Sequence, residues 1–168
     1  MLTIDQLDAR LIGLLTADAR AGVVELAAKL GVTRNTVQSR IKRLEDTGLI
    51  RSFRPEVDLP LAGIGVQAFL ALELEQGYIS SVIETLKGFP EVLEIHATTG
   101  REDLLVRVAT HDHASLMELI EKVLDLEGVW HSSTTVALTT PLPYRTQPLL
   151  EAITSDAGWG RSTPSPRA

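Results

Sequence analysis

Apolar residues return every three or four positions through the first forty-odd residues, then every second position from Val66 onward. That change of period divides the chain. Ile4, Leu7, Leu11, Leu14 and Leu15, with Ile12 beside them, predict a helix over roughly 5–16. Asp5, with Asp8 three residues on, is a weak capping signal and puts acid near the positive helix end. Leu26, Ala27 and Leu30 give a second short helix, 24–30, which Gly31 can end in a left-handed conformation. Thr33 is an N-cap for a third helix, 34–46, with Val37, Ile41 and Leu44 on one face and Gly48 closing it. Leu7, Leu11, Leu14, Leu26, Leu30, Val37, Ile41 and Leu44 form the expected small core. Leu49 to Phe53 has strand character, Arg54 and Pro55 interrupt it, and Val57 could begin a return strand: a small wing, or the start of a linker.

Pro60, Gly63 and Gly65 mark a joint. Beyond it Val66, Ala68, Leu70, Leu72 and Leu74 line one face of a strand, while Phe69 and Ala71 leave the other face partly apolar. A helix follows over 80–87, then strands over 92–98 and 103–109 joined by Thr99-Gly100-Arg101-Glu102. A helix from His113 to Leu126 and a strand from Val129 to Leu138 complete the series. The order β-α-β-β-α-β is ferredoxin-like, an antiparallel sheet with two helices on one face. The fold class is therefore α+β, a winged helix-turn-helix followed by a βαββαβ domain. The expected divisions are 1–54, a linker at 55–65, 66–140, and a largely flexible extension at 141–168. The bare sheet face needs a cover, for which a second subunit is the simplest candidate. The extension holds five of the eight prolines. Leu149 to Ile153 could make a short docking helix. Trp159 could be a docking anchor, but the reading preferred is an incidental exposed side chain, and the chain from Gly158 reads as disordered.

At 168 residues and 44% hydrophobic, the chain can bury one ordinary core or two small ones. Its net charge of -6 conceals an asymmetry: residues 1–54 carry +3 and residues 55–168 carry -9. The basic part coincides with the third helix. The absence of cysteine excludes disulfides and thiolate metal sites. The N-terminus lacks the layout of a signal peptide, and no apolar run reaches membrane-spanning length, so a cytoplasmic protein without membrane contact is expected.

Opposite its apolar stripe, the third helix carries Asn35, Gln38, Ser39 and Lys42, flanked by Arg34, Arg40 and Arg43, with Arg51 and Arg54 after it. A helix pair whose second member is polar and basic is the pattern of a reader of double-stranded DNA. Amides and hydroxyls suit base edges, and guanidinium groups suit phosphates. An ordinary solvated basic face is the plainer alternative. The preceding LAAKLG turn, the Thr33 cap and the short GLI exit weigh against it. The four histidines, His96, His111, His113 and His131, match no compact metal signature. Gly63 and Gly65 precede a strand, the wrong setting for a nucleotide loop, and no nucleophile–base arrangement appears. No enzyme, resident cofactor or metal is expected.

These residues carry a likeness. LTIDQLDARLIGLLTADAR resembles the opening helix of the Lrp/AsnC, or feast/famine, transcriptional regulators, and LAAKLGVTRNTVQSRIKRLEDTGLI resembles their helix-turn-helix. Leu59 to Gly63 looks like the lead into their second domain. TTGREDLLVRV resembles their threonine-glycine-x-x-aspartate signature, with Gly100 and Asp103 in the matching places, and GVWHSSTTVAL resembles their last strand. The likeness covers about Leu2 to Leu138. It implies a sequence-specific regulator that forms a homodimer through back-to-back sheets and assembles further to an octamer. It also implies a small effector, usually an amino acid, bound near the glycine–aspartate turn. His96 and Ala97 depart from the aromatic residue often found before that turn, and the extension has no counterpart.

Taken alone, the Gly100 turn reads as a hairpin with a capping aspartate. Beside the likeness it becomes an effector site, with inward-turned amides at Gly100, Asp103 accepting from an ammonium group, and hydroxyls from Thr98, Thr99, Ser133 and Thr134. The alternative to a DNA regulator is a dimeric protein-interaction module whose first domain binds no DNA.

Overall fold

The computed structural model describes residues 3–160. The described residues form two compact units, one of residues 3–55 with 143–160 and one of residues 56–142.

The first unit contains α1 (Gln6–Ala17), α2 (Val23–Leu30) and α3 (Arg34–Asp46). Asp5 caps α1 in a reciprocal box: its carboxylate accepts from the Asp8 N–H, and the Asp8 carboxylate accepts from the Asp5 N–H. Gly31, at φ +67°, ends α2, and Thr33 accepts from the Thr36 N–H at 3.2 Å to start α3. Leu7, Leu11, Leu26, Leu30, Val37 and Leu44 form the core, with Leu15 and Ala27 added to the expected set and Leu14 and Ile41 only partly buried.

The wing does not form. Residues 51–58 have no strand pairing. Gly48, at φ +72°, turns the chain so that the Ile50 N–H donates to the Leu44 carbonyl at 3.0 Å, and Ile50 packs on the helical core. The backbone that would have begun a ladder closes α3 instead. Beyond it Pro55 offers no N–H, and an isolated two-stranded ribbon is marginal in water.

The second unit runs β1 (Val66–Leu74), α4 (Ile79–Leu86), β2 (Val92–Ala97), β3 (Leu104–Thr110), α5 (His113–Leu124) and β4 (Val129–Ala137). The sheet order is β2-β3-β1-β4, antiparallel throughout, as the ferredoxin-like reading requires. Ala68, Leu70 and Leu72 pair with Val108, Val106 and Leu104 and share one buried layer with Val82, Leu86, Leu116, Leu119 and Val123 of the helices. The opposite face presents Phe69, Leu105 and Ala137, with Phe69 37% exposed.

The short helix expected over Leu149 to Ile153 forms as α6 (Gln147–Thr154), and the first unit includes it. The departure from expectation is Trp159. Trp159 is 9% exposed and belongs to the core of α1 to α3. Sequence periodicity could not reveal this, because the partners of Trp159 lie some 150 residues earlier. Flexibility expected for residues 161–168 lies outside the described residues.

Candidate nucleic-acid interface and effector turn

Val37 and Leu44 are buried on α3, and that fixes what the rest of the helix presents. Asn35, Gln38, Ser39 and Lys42 are all exposed, and their spacing places them on one face. Arg34, at the first helical position, is exposed too, as are Arg51 and Arg54 beyond the helix. An amide pair, a hydroxyl and cations thus stand free on a rigid element.

Arg40 and Arg43 stand apart from this set. Arg40 Nη1 donates to Asp5 Oδ2 at 2.5 Å and to Asp8 Oδ1 at 3.0 Å. Arg43 Nη2 binds Asp8 Oδ2. The Asp8 side chain is 0% exposed, while those of Arg40 and Arg43 are 18% and 37% exposed. Read from sequence as phosphate holders, these two arginines join α3 to the first turn of α1. Partial burial by itself would push the Asp5 carboxyl up. The Asp8 N–H and the Arg40 guanidinium outweigh it and hold Asp5 below the usual carboxylate range. Burial likewise opposes the charge on Arg40, and Asp5 and Asp8 more than restore it, raising its pKa.

In the second unit, the β2–β3 connection gathers Thr98, Thr99, Gly100 and Asp103. Gly100 adopts φ +122°, and open space surrounds the position a Cβ would take, so backbone conformation and not crowding calls for glycine. Asp103 Oδ2 accepts from the Leu74 N–H at 2.7 Å, and the Asp103 N–H donates to the Leu72 carbonyl at 2.8 Å. The Thr98 hydroxyl donates to the Glu102 carbonyl at 2.5 Å. Arg101 Nε reaches Glu73 at 2.7 Å. Much of the turn's polar capacity therefore holds the turn itself. Ser133 and Thr134 sit on β4, opposite Ala71 and Leu70 of β1, and alternate to opposite faces of the sheet. Ser133 faces away from the helices, and Thr134 lies on the helix-covered side. The two hydroxyls do not converge with each other. Among the described residues, no cluster of three His, Asp or Glu side chains could hold a metal ion, and no helix is long and apolar enough to cross a membrane.

Residues 4–45 match the AsnC-type helix-turn-helix domain, and residues 67–147 match the Lrp/AsnC ligand binding domain. The chain belongs to the Lrp/AsnC family of transcriptional regulators. Its relatives include the HTH-type transcriptional regulator FL11 of Pyrococcus furiosus, 30% identical over 147 residues, covering 84% of this chain and 97% of that protein. Among solved structures, E. coli AsnC superposes with a TM-score of 0.82 at 26% identity, covering 88% of this chain and 100% of that one. A transcriptional regulator from Neisseria meningitidis, solved in complex with L-Met, shares the fold at a TM-score of 0.80 and 23% identity, covering 86% and 96%. The Lrp/AsnC matches stop at residue 147, so α6 beyond its first residue, and Trp159, lie outside both matched domains.

Proposed function

We propose that this Lrp/AsnC regulator reads a specific DNA sequence as a dimer and answers to a small effector carrying an amino acid's paired charges. The observation that carries the DNA reading is the free polar face of α3. Asn35, Gln38, Ser39 and Lys42 address base edges, while Arg34, Arg51 and Arg54 hold phosphates. Two such helices in a dimer would enter major grooves about 34 Å apart or a multiple of that. The partly apolar outer face of the sheet, with Phe69, Leu105 and Ala137, is the surface for the second subunit, and dimers assemble further to an octamer. The protein acts in the cytoplasm, without a resident cofactor and without enzymatic activity.

The effector reading rests on Gly100 and Asp103. The amides around Gly100 suit a carboxylate, and the Asp103 oxygen not used by Leu74 suits an ammonium group. The related fold solved with L-Met supports an amino acid as the class. Ser133 is the hydroxyl that shares the outer sheet face, and Thr98 and Thr99 line the turn. Thr134 fits this site least well, since its side chain lies on the helix-covered face.

Fluorescence anisotropy with the DNA upstream of the protein's own gene, against a scrambled duplex at two salt concentrations, tests the proposal. Tighter binding to the native duplex that weakens steeply with salt supports it. No binding to either duplex, with amino acids present, would move a protein-interaction role to first place. For the effector, Asp103→Asn is a cleaner variant than Asp103→Ala, because an amide oxygen can still accept from the Leu74 N–H while the charge is gone. It should abolish an amino-acid-induced change in DNA binding. An unchanged response would remove Asp103 from the site.

A further inference from the structure

The stretch Gln147–Gly160 is tied to α1 along its length. The Gln147 side-chain amide donates to the Ala9 carbonyl at 3.1 Å. It lies where a side chain on Gly13 would be, 2.5 Å from that missing Cβ. The Gln6 side-chain amide donates to the Ser155 carbonyl at 2.6 Å. The Gln6 backbone N–H, one of the free donors that open a helix, donates to the Gly158 carbonyl at 3.0 Å. Trp159 joins the core cluster that includes Leu7 and Leu11, and the Arg10 guanidinium stands 4.8 Å from the centre of its ring. Gly160 then passes the ion cluster so closely that a Cβ would lie 2.5 Å from both Arg40 Nη2 and Asp5 Oδ2.

Asp5 and Asp8 belong to the first turn of α1, and helix ends fray unless held. They grip α3 at Arg40 and Arg43, three residues apart. Two grips nearly one turn apart fix the rotation of α3 about its own axis, and so the direction in which Asn35, Gln38, Ser39 and Lys42 point. The segment that holds the first turn of α1 from outside is Gly158 to Gly160. We propose that Gln147–Gly160 is a working element of the DNA-reading unit: it immobilises the first turn of α1, and through the Asp5–Asp8–Arg40–Arg43 cluster it positions the recognition helix. Trp159 and Gly160 are thus positioning residues for base readout. The inference rests on the DNA-reading role given to α3.

The test compares the full chain with Trp159→Ala, Gly160→Ala and Arg34→Ala. Anisotropy on native and scrambled duplexes is measured across a salt series, at a temperature where melts show every variant folded. Trp159→Ala should lower the ratio of native to scrambled affinity about tenfold and leave the salt slope unchanged. Gly160→Ala keeps the tryptophan but crowds Arg40 and Asp5, and should lower the ratio in the same direction by less. Arg34→Ala should do the reverse, reducing the slope by about 0.9 with the ratio preserved. If Trp159→Ala and Gly160→Ala melt earlier but discriminate as well as the full chain, the extension only stabilises, and the proposal is overturned. If they reduce the salt slope as Arg34→Ala does, the extension contacts phosphate instead, which also overturns it. A full chain that does not discriminate between duplexes would overturn the DNA-reading role and the positioning role together. The docking of Trp159 is then judged separately, from the emission and quenching of a Trp130→Phe protein.

Discussion

The two units use their polar side chains in opposite ways. In the first, charges that serve the fold are separated from charges free to act. Asp5, Asp8, Arg40 and Arg43 are consumed in one cluster, and the face of α3 that they flank, with Asn35, Gln38, Ser39 and Lys42, is left exposed. In the second, the same groups do both jobs. Asp103 holds the Leu74 N–H, Thr98 holds the Glu102 carbonyl, and Arg101 holds Glu73. A single copy of the first unit therefore presents a finished surface. The turn of the second presents a scaffold whose remaining polar capacity is small. A residue's type says little about whether it acts or supports. Its partners decide.

The comparison can be broken most forcefully in the sheet. Leu72 is fully buried between β3 and the helices, and Leu72→Ala should cost about 2–5 kcal/mol of stability. Two transitions in denaturant, with only the second unit's shifted, would show that the units answer separately. One shared transition would show that they do not. At the next level, Gln38→Ala should lose about 1–3 kcal/mol of discrimination between native and substituted operators, with the melting temperature unchanged. If affinity and sequence preference both survive, the free face of α3 is not the reading face. If Arg51 holds a phosphate as proposed, Arg51→Ala should weaken native and scrambled duplexes alike, lowering the salt slope by about 0.9.

The smallest effect is that of acid. The folded Asp5 pKa lies below its ordinary value of 3.8, so its contribution to stability is fully present above that pH and is lost as pH falls through the folded value. The first unit should therefore weaken below about pH 4, as followed by Trp159 emission in a Trp130→Phe background. Replacing Asp5 with Asn should flatten that part of the curve. A curve of the same shape in the Asn variant would show that Asp5 does not contribute to it.

Much of this was legible in the sequence because periodicity reports local burial. The helical stripe of Leu7, Leu11 and Leu14, the stripe of Val37, Ile41 and Leu44, and the alternation from Val66 to Leu74 each carry their own element. The hairpin at Gly100 and the polar face of α3 were equally local, since spacing alone puts Asn35, Gln38, Ser39 and Lys42 together. What escaped is what depends on distant partners. Arg40 and Arg43 look like solvated cations until Asp8, more than thirty residues earlier, is found beneath them. Trp159 follows a proline-rich stretch with no apolar period, and only its place in the core of the first helices gives it a role. Leu49 to Phe53 misled for the converse reason. Its residues suit a strand, but Ile50 had already been used to close the helix before it.

The docking of Trp159 also sets an order of events during synthesis. Leu11 emerges 148 residues before the tryptophan that shares its core, and the entire sheet unit is made in between. The first helices must pass that interval with one member of their core missing. Closing so long a loop carries an entropic cost that grows only slowly with length, but the contact is non-local and tends to form late. A nascent chain would then hold its first unit incompletely packed until its extension arrived, after the second unit had been made.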